Sequence, residues 1–145
     1  KSGYRPHLRV DLEGGLSVIG VHFKSMRDGG EEKRRMAADA VQRDIQANPA
    51  ARVMVAGDFN TDEDILGKSG LKNCTIQLPG THCYQGQWNR LDKIYSTSCG
   101  VVARMDEDFL MRNGVPYRTA LYKKNGETCH LDRGYSDHLP LLMYE

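Results

Sequence analysis

The sequence has no long apolar run: its most apolar stretches, such as Leu139 to Met143, fall far short of the roughly 20 residues a membrane-crossing helix needs. Near Lys1 there is no basic segment followed by an apolar one, so no signal peptide is read there and the chain as given is expected to be soluble. C-x-x-C spacing is missing too. The four cysteines, Cys74, Cys83, Cys99 and Cys129, therefore suggest neither a zinc knuckle nor a thioredoxin-like redox pair. They leave two readings open. One or two disulfides would imply an oxidising compartment, periplasmic or extracellular; buried free thiols fit the count equally well. A surplus of one charge is also absent. With 20 Lys and Arg against 19 Asp and Glu, the chain lacks the overall basic footprint of a phosphate-tracking nucleic-acid binder, so any preference for a polyanion must be local. There are no internal repeats, and 145 residues suit one compact domain rather than two.

What is present reads as alternating strands with one helix. His7 to Leu12 and Leu16 to His22 are β-prone runs joined by Glu13-Gly14-Gly15, which predicts a hairpin. From Glu31 to Asn48 the period becomes helical, with Met36, Ala40, Val41 and Ile45 on one stripe and Asn48-Pro49 as the stop. Arg52 to Gly57 is a short strand whose two alternating sets are both apolar or small, so it is expected to be buried on both faces. Arg90 to Thr97, Val101 to Met105 and Leu139 to Tyr144 are further strands, the last also apolar on both sides. Within the polar region from Arg112 to Tyr135, Lys124-Asn125-Gly126-Glu127 predicts a second hairpin. One helix covers one side of a sheet. The strands are apolar on two, so an uncovered sheet face is expected, against which a further element, a second copy or a missing portion must pack.

Several groups carry chemistry. Asp58 and Asn60 follow the buried strand in Gly57-Asp58-Phe59-Asn60, where a carboxylate and an amide can project into a cleft, although Asp and Asn also serve as ordinary turn residues. Asp137 and His138 precede the last apolar strand. As an isolated pair they are also explained by a local hydrogen bond. His22 ends an opening strand, and Asp92 lies in Arg90-Leu91-Asp92-Lys93-Ile94; the bland readings are a satisfied histidine and an edge charge paired with Lys93 or Arg90. Arg112, Arg118, Lys123, Lys124 and Arg133 make a locally basic stretch that is either a polyanion contact or a solvated face. Tyr84, Trp88 and Tyr117 are positioned in sequence to flank a cleft.

Taken together, Val21-His22-Phe23-Lys24-Ser25, Gly57-Asp58-Phe59-Asn60, Leu91-Asp92-Lys93-Ile94 and Ser136-Asp137-His138-Leu139-Pro140 resemble successive motifs of the endonuclease/exonuclease/phosphatase superfamily, whose members include deoxyribonuclease I-like enzymes. The match runs from about Arg5 to Tyr144. The resemblance implies an α+β fold, the C-terminal half of a four-layer α/β/β/α sandwich, with a mostly antiparallel sheet and one long covering helix. It also implies a divalent-metal-dependent phosphoester hydrolase acting by in-line attack of water.

By the same resemblance Asp58 activates the water, Asn60 holds it and a phosphate oxygen, and His138 contacts the phosphate with Asp92 orienting it. His22 is the second histidine, and Asp137 is the metal ligand. Magnesium is the expected ion, with Mn²⁺ or Ca²⁺ as alternatives. The expected substrate is a phosphodiester, with nucleic acid one such class; a phosphomonoesterase, a lipid phosphodiesterase and a non-catalytic interaction module are the rival readings. The sequence departs from the family in two respects. Gly20 stands where many relatives carry Asn, and the motifs of the family's N-terminal half, an Asn and a metal-binding Glu, are not in residues 1–145. The expected partner is therefore that half as a separate chain, or a second copy; by itself the chain is expected to bind Mg²⁺ weakly and turn over poorly.

Overall fold

The computed structural model describes residues 3–26, 29–119, 121–124, 127–130 and 134–144. β1 (Leu8–Leu12) and β2 (Leu16–His22) form the expected hairpin, with Leu12 opposite Leu16. Helix α1 (Gly30–Ala47) follows, with Glu31 and Glu32 in its first turn, where carboxylates meet the positive end of the helix dipole. It stops at Asn48, whose N–H donates to the Asp44 carbonyl at 2.9 Å, and Pro49 cannot continue it.

β3 (Arg52–Asp58) runs parallel to β2 and is flanked on its other side by β7 (Asp92–Ser96), which is antiparallel to it; the short β4 (Lys72–Asn73) adds beyond β7. The sheet order is β1-β2-β3-β7-β4, so one neighbouring pair is parallel and the others are antiparallel. This is the α+β, mostly antiparallel arrangement expected.

One face of this sheet makes the core. Ile19, Val21, Val53, Val55 and Tyr95 pack there with Phe23, Phe59 and Leu66, beneath Ala37, Ala38 and Val41 of α1. The helix is rotated from the expected stripe. Met36 lies 39% exposed, while Ala37, Ala38 and Arg34 are buried. Two alanines let the helix backbone approach the sheet closely, and Arg34 is tolerated inside because its Nη1 donates to the Lys24 carbonyl at 3.2 Å.

The opposite face is covered at β7, where Ile94 and Ser96 are buried, and opens toward β1. Leu8, Val10 and Leu12 project from the same side of β1, opposite Gly20, Val18 and Leu16, and they are 69%, 46% and 48% exposed. β3 is accordingly buried on one side only: Val53 and Val55 are covered, and Met54 and Ala56 are half-covered. That differs from the expectation of burial on both faces, because nothing among the described residues lies across much of the second one.

The remaining elements are small pairs. β5 (His82–Tyr84) and β6 (Gln87–Asn89) form a tight hairpin, with Gln85 and Gly86 both at positive φ, the geometry of a two-residue hairpin turn. β8 (Val101–Arg104) pairs with β13 (Leu141–Tyr144), β9 (Met111–Arg112) with β10 (Val115–Pro116), and β11 (Leu121–Lys124) with β12 (Glu127–His130). The second predicted hairpin is thus present, with Lys124 opposite Glu127; its turn residues Asn125 and Gly126 lie outside the described residues. The expectation of a buried C-terminal strand is corrected. Leu142 and Tyr144 of β13 are 47% and 52% exposed, because β8 is its only strand partner among the described residues.

Cys74 and Cys99 are joined in a disulfide, and Cys83 is a buried free thiol; the side chain of Cys129 lies outside the described residues. Among the described residues no helix is long and apolar enough to cross a membrane.

Candidate active site

The parallel pairing of β2 with β3 and the antiparallel pairing of β3 with β7 place His22 opposite Asp58 and Asp58 opposite Asp92. Paired residues share a sheet face, so these three side chains stand in a row at one end of the open face. The local sequence makes this possible. Gly57 adopts φ 142°, and a Cβ there would lie 2.0 Å from the Val21 carbonyl oxygen, so only glycine lets β3 run this close to β2 just before Asp58. Phe59 is fully buried and packs edge-on against Phe23 and Tyr95, with centroids 5.1 and 5.2 Å away, and its N–H donates to the Leu91 carbonyl at 2.8 Å. Phe59 is the anchor, and it fixes Asp58 and Asn60 on either side of it.

Asn60, at φ 51°, sends its backbone N–H to Asp58 Oδ1 at 2.7 Å and its amide Nδ2 to Asp58 Oδ2 at 2.9 Å and to the Phe23 carbonyl at 3.0 Å. Both amide hydrogens are therefore engaged. In this arrangement Asn60 aligns the Asp58 carboxylate. His22 Nε2 lies 3.7 Å from Asp58 Oδ2, and its side chain is 66% exposed.

Asp92 Oδ2 accepts from His138 Nδ1 at 2.7 Å and from the Thr81 hydroxyl at 2.5 Å. His138 is brought there from the far end of the chain by a bridge to His82 in β5 and by the Leu139 N–H, which donates to the Thr81 carbonyl at 2.9 Å. A cleft of about 340 Å³ opens beside this pair, lined among others by Asp92, Lys93, Ile94, Ser136, His138 and Pro140. Asp137 meets His82 and His138, one ligand atom from each lying within 4.8 Å of the others. All six residues singled out from the sequence therefore collect at this end of the sheet.

The environment splits the titrating groups. Burial pushes the Asp58 carboxyl up, the Asp92 charge adds to the rise, and the hydrogen bond from Asn60 opposes it. Burial pulls His138 down, but the hydrogen bond and charge of Asp92 outweigh it, with Asp58 and Asp137 adding, so the imidazole stands above its ordinary value. His82 moves the other way: burial lowers it and the neighbouring His138 lowers it further. The surroundings thus favour the protonated form of His138 and the neutral form of His82, a difference suited to an oxyanion and to donation of a proton.

Sequence reasoning missed Thr81 and His82. It also missed Lys93, a buried lysine whose ammonium donates to the Thr61 and Arg90 carbonyls and whose pKa is lowered by burial to about 8. The Thr81-His82 dipeptide carries no local motif; its role depends on a hairpin and on a strand contact with the distant His138. Of the aromatic residues expected to flank a cleft, Trp88 is stacked by Arg104 at 4.5 Å and Tyr117 by Arg112 at 5.6 Å. Of the basic stretch, Arg133 and the side chains of Lys123 and Lys124 lie outside the described residues.

The sheet with one covering helix, and the site at its strand ends, define an α+β fold that recurs among solved structures. Beta toxin from Staphylococcus aureus matches 95% of this chain and 55% of its own length, with a TM-score of 0.55 and 14% identity. Humanized D. rerio TDP2 matches 94% and 58%, at TM-score 0.56 and 18% identity. An endonuclease/exonuclease/phosphatase family protein from Bacteroides thetaiotaomicron matches 88% and 47%, at TM-score 0.51 and 17% identity. The likeness is one of fold. The chain spans about half the length of these structures. No family model matches the sequence, and no curated protein matches it.

Proposed function

We propose that the protein is a phosphoester hydrolase, acting on a phosphodiester by in-line attack of water. The observation that carries this reading is the row His22, Asp58, Asp92 at three adjacent strand ends, with His138 hydrogen-bonded to Asp92 at 2.7 Å. Phosphoester hydrolysis needs a base for water and positive charge for the oxygens of the transition state. Asp58, held by two hydrogen bonds from Asn60, serves as the base. His138, whose cationic form Asp92 favours, faces the phosphoryl oxygens, and His22 stands on the exposed side of Asp58, where it reaches the phosphate or the leaving group. Thr81 holds the second lone pair of Asp92 and so fixes the dyad.

Asp137 supplies a carboxylate of the type that holds Mg²⁺, with Mn²⁺ or Ca²⁺ as alternatives. When bound, such an ion neutralises charge on the phosphoryl oxygens. We further propose that the chain is the C-terminal half of a four-layer sandwich and that the exposed face carrying Leu8, Val10 and Leu12 is covered by an N-terminal half or by a second copy. The matched structures extending well beyond this chain, which covers 55% and 58% of them, supports this, as does the apolar character of the face. The disulfide supports a periplasmic or extracellular setting.

The test is hydrolysis of plasmid DNA, a bis-aryl phosphodiester and a phosphomonoester by the full-length protein, with Mg²⁺ and with EDTA. Mg²⁺-dependent cleavage of the diesters is expected. Cleavage of the monoester alone replaces the substrate class, and no turnover of any of the three contradicts the reading.

A further inference from the structure

His82 is a group at this site that the proposed reaction leaves unused. Its Nδ1 is buried and has no hydrogen-bond partner among the described residues. A buried polar atom in that condition is ordinarily satisfied by a bound water or ion. The His82 ring sits 4.8 Å, centroid to centroid, from that of His138, tilted by 45°, so the two imidazoles lean across a shared space rather than stacking flat.

We propose that His82, Asp137 and His138 form a binding site for a divalent transition-metal ion of the zinc or cobalt type. Three observations support it. First, His138 uses Nδ1 to hold Asp92, which leaves Nε2 directed elsewhere; a carboxylate on one ring nitrogen is the usual way a ligating histidine is oriented and made a better donor. Second, the spacing is close to what an ion requires. The three candidate ligand atoms lie within 4.8 Å of one another, whereas tetrahedral ligands each about 2.1 Å from one ion are about 3.4 Å apart. The largest gap thus closes by up to about 1.4 Å on binding, a movement that rotation of the His82 and Asp137 side chains supplies. Third, two imidazoles and one carboxylate form a nitrogen-rich set. Mg²⁺ prefers oxygen and gives up its water reluctantly, whereas Zn²⁺ and Co²⁺ take imidazole readily.

A transition ion held here occupies the Nε2 of His138 and a carboxylate oxygen of Asp137, the two groups assigned above to phosphate and to Mg²⁺. It therefore excludes both. The binding itself stands apart from hydrolysis, since it requires only these three side chains.

Co²⁺ titration of the full-length protein, read by visible d–d absorption, tests the proposal without any turnover. The expected result is one Co²⁺ per chain, displaced by Zn²⁺ and not by excess Mg²⁺. His82→Gln and His82→Ala each weaken Co²⁺ about tenfold or more, the scale on which lost metal-site partners act, and His7→Ala, which removes a histidine paired with Asp44 at 3.3 Å, leaves it unchanged. Absence of the band, or unaltered affinity in both His82 variants, overturns the proposal. Should those variants unfold, imidazole resonances of the unmodified protein decide it: Zn²⁺ shifts His82 and His138 together and spares His7, or the site is wrong.

Discussion

As the proposed general base, Asp58 carries opposing demands. Taking a proton from water requires the carboxylate, yet burial and the nearby Asp92 both favour the protonated acid. Below the raised pKa Asp58 holds its proton and cannot act as a base, so activity is expected to climb with pH through a limb lying above the ordinary value of 3.8. Asp92 couples this group to His138. An Asp92→Asn substitution removes the hydrogen-bonded charge that holds His138 up while leaving the burial that pulls it down. The His138 pKa is then expected to fall, measured by imidazole proton NMR titration, and an unmoved value would count against the dyad. The stability linked to His138 has a definite sign. Its pKa is raised on folding, so the contribution is full below 6.5 and fades as pH rises through the folded-state value.

At the scale of elements, β3 and the tetrapeptide Gly57-Asp58-Phe59-Asn60 at its end organise the site. Phe59 is wholly buried between Phe23 and Tyr95, so Phe59→Ala is expected to cost about 3–5 kcal/mol in urea unfolding. A loss well below 1 kcal/mol would mean that Asp58 and Asn60 are held by something else. The Cys74–Cys99 bond closes a loop with a sequence separation of 25 and ties the end of β4 to the turn after β7. Its reduction is expected to lower stability by about 3–4 kcal/mol on chain-entropy grounds, read from the shift in urea midpoint with and without reductant.

These elements were legible to different degrees. Helix α1, the first hairpin and β3 follow from local period and turn residues, and Asp58 and Asn60 are legible because Gly57-Asp58-Phe59-Asn60 is contiguous. Met36 was misplaced because periodicity gives a face only to within a residue or so, and the sheet selected the small alanines next to it. Thr81 and His82 were not legible: Gly86 marks the β5–β6 turn, but their role arises from the bridge to His138, which leaves no mark in neighbouring residues.

For the molecule as a whole, the site and the uncovered apolar surface lie on the same side of one sheet. Leu16 and Val18 share their face of β2 with His22, so whatever covers this side also walls the cleft. Sedimentation or native mass measurement of the protein is expected to show a complex larger than one chain, formed with a copy of itself or with a complementary fragment. A well-behaved particle of single-chain mass would count against a covering partner.

The most direct test of the central claim is the rate of Mg²⁺-dependent phosphodiester hydrolysis by full-length protein carrying Asp58→Asn, a change that keeps the side chain's size and removes its basicity. Loss of a general base is expected to slow turnover by about 10²–10⁴-fold with the far-UV circular dichroism spectrum preserved. A folded Asp58→Asn protein that hydrolyses the diester as fast as the unmodified one would contradict the account.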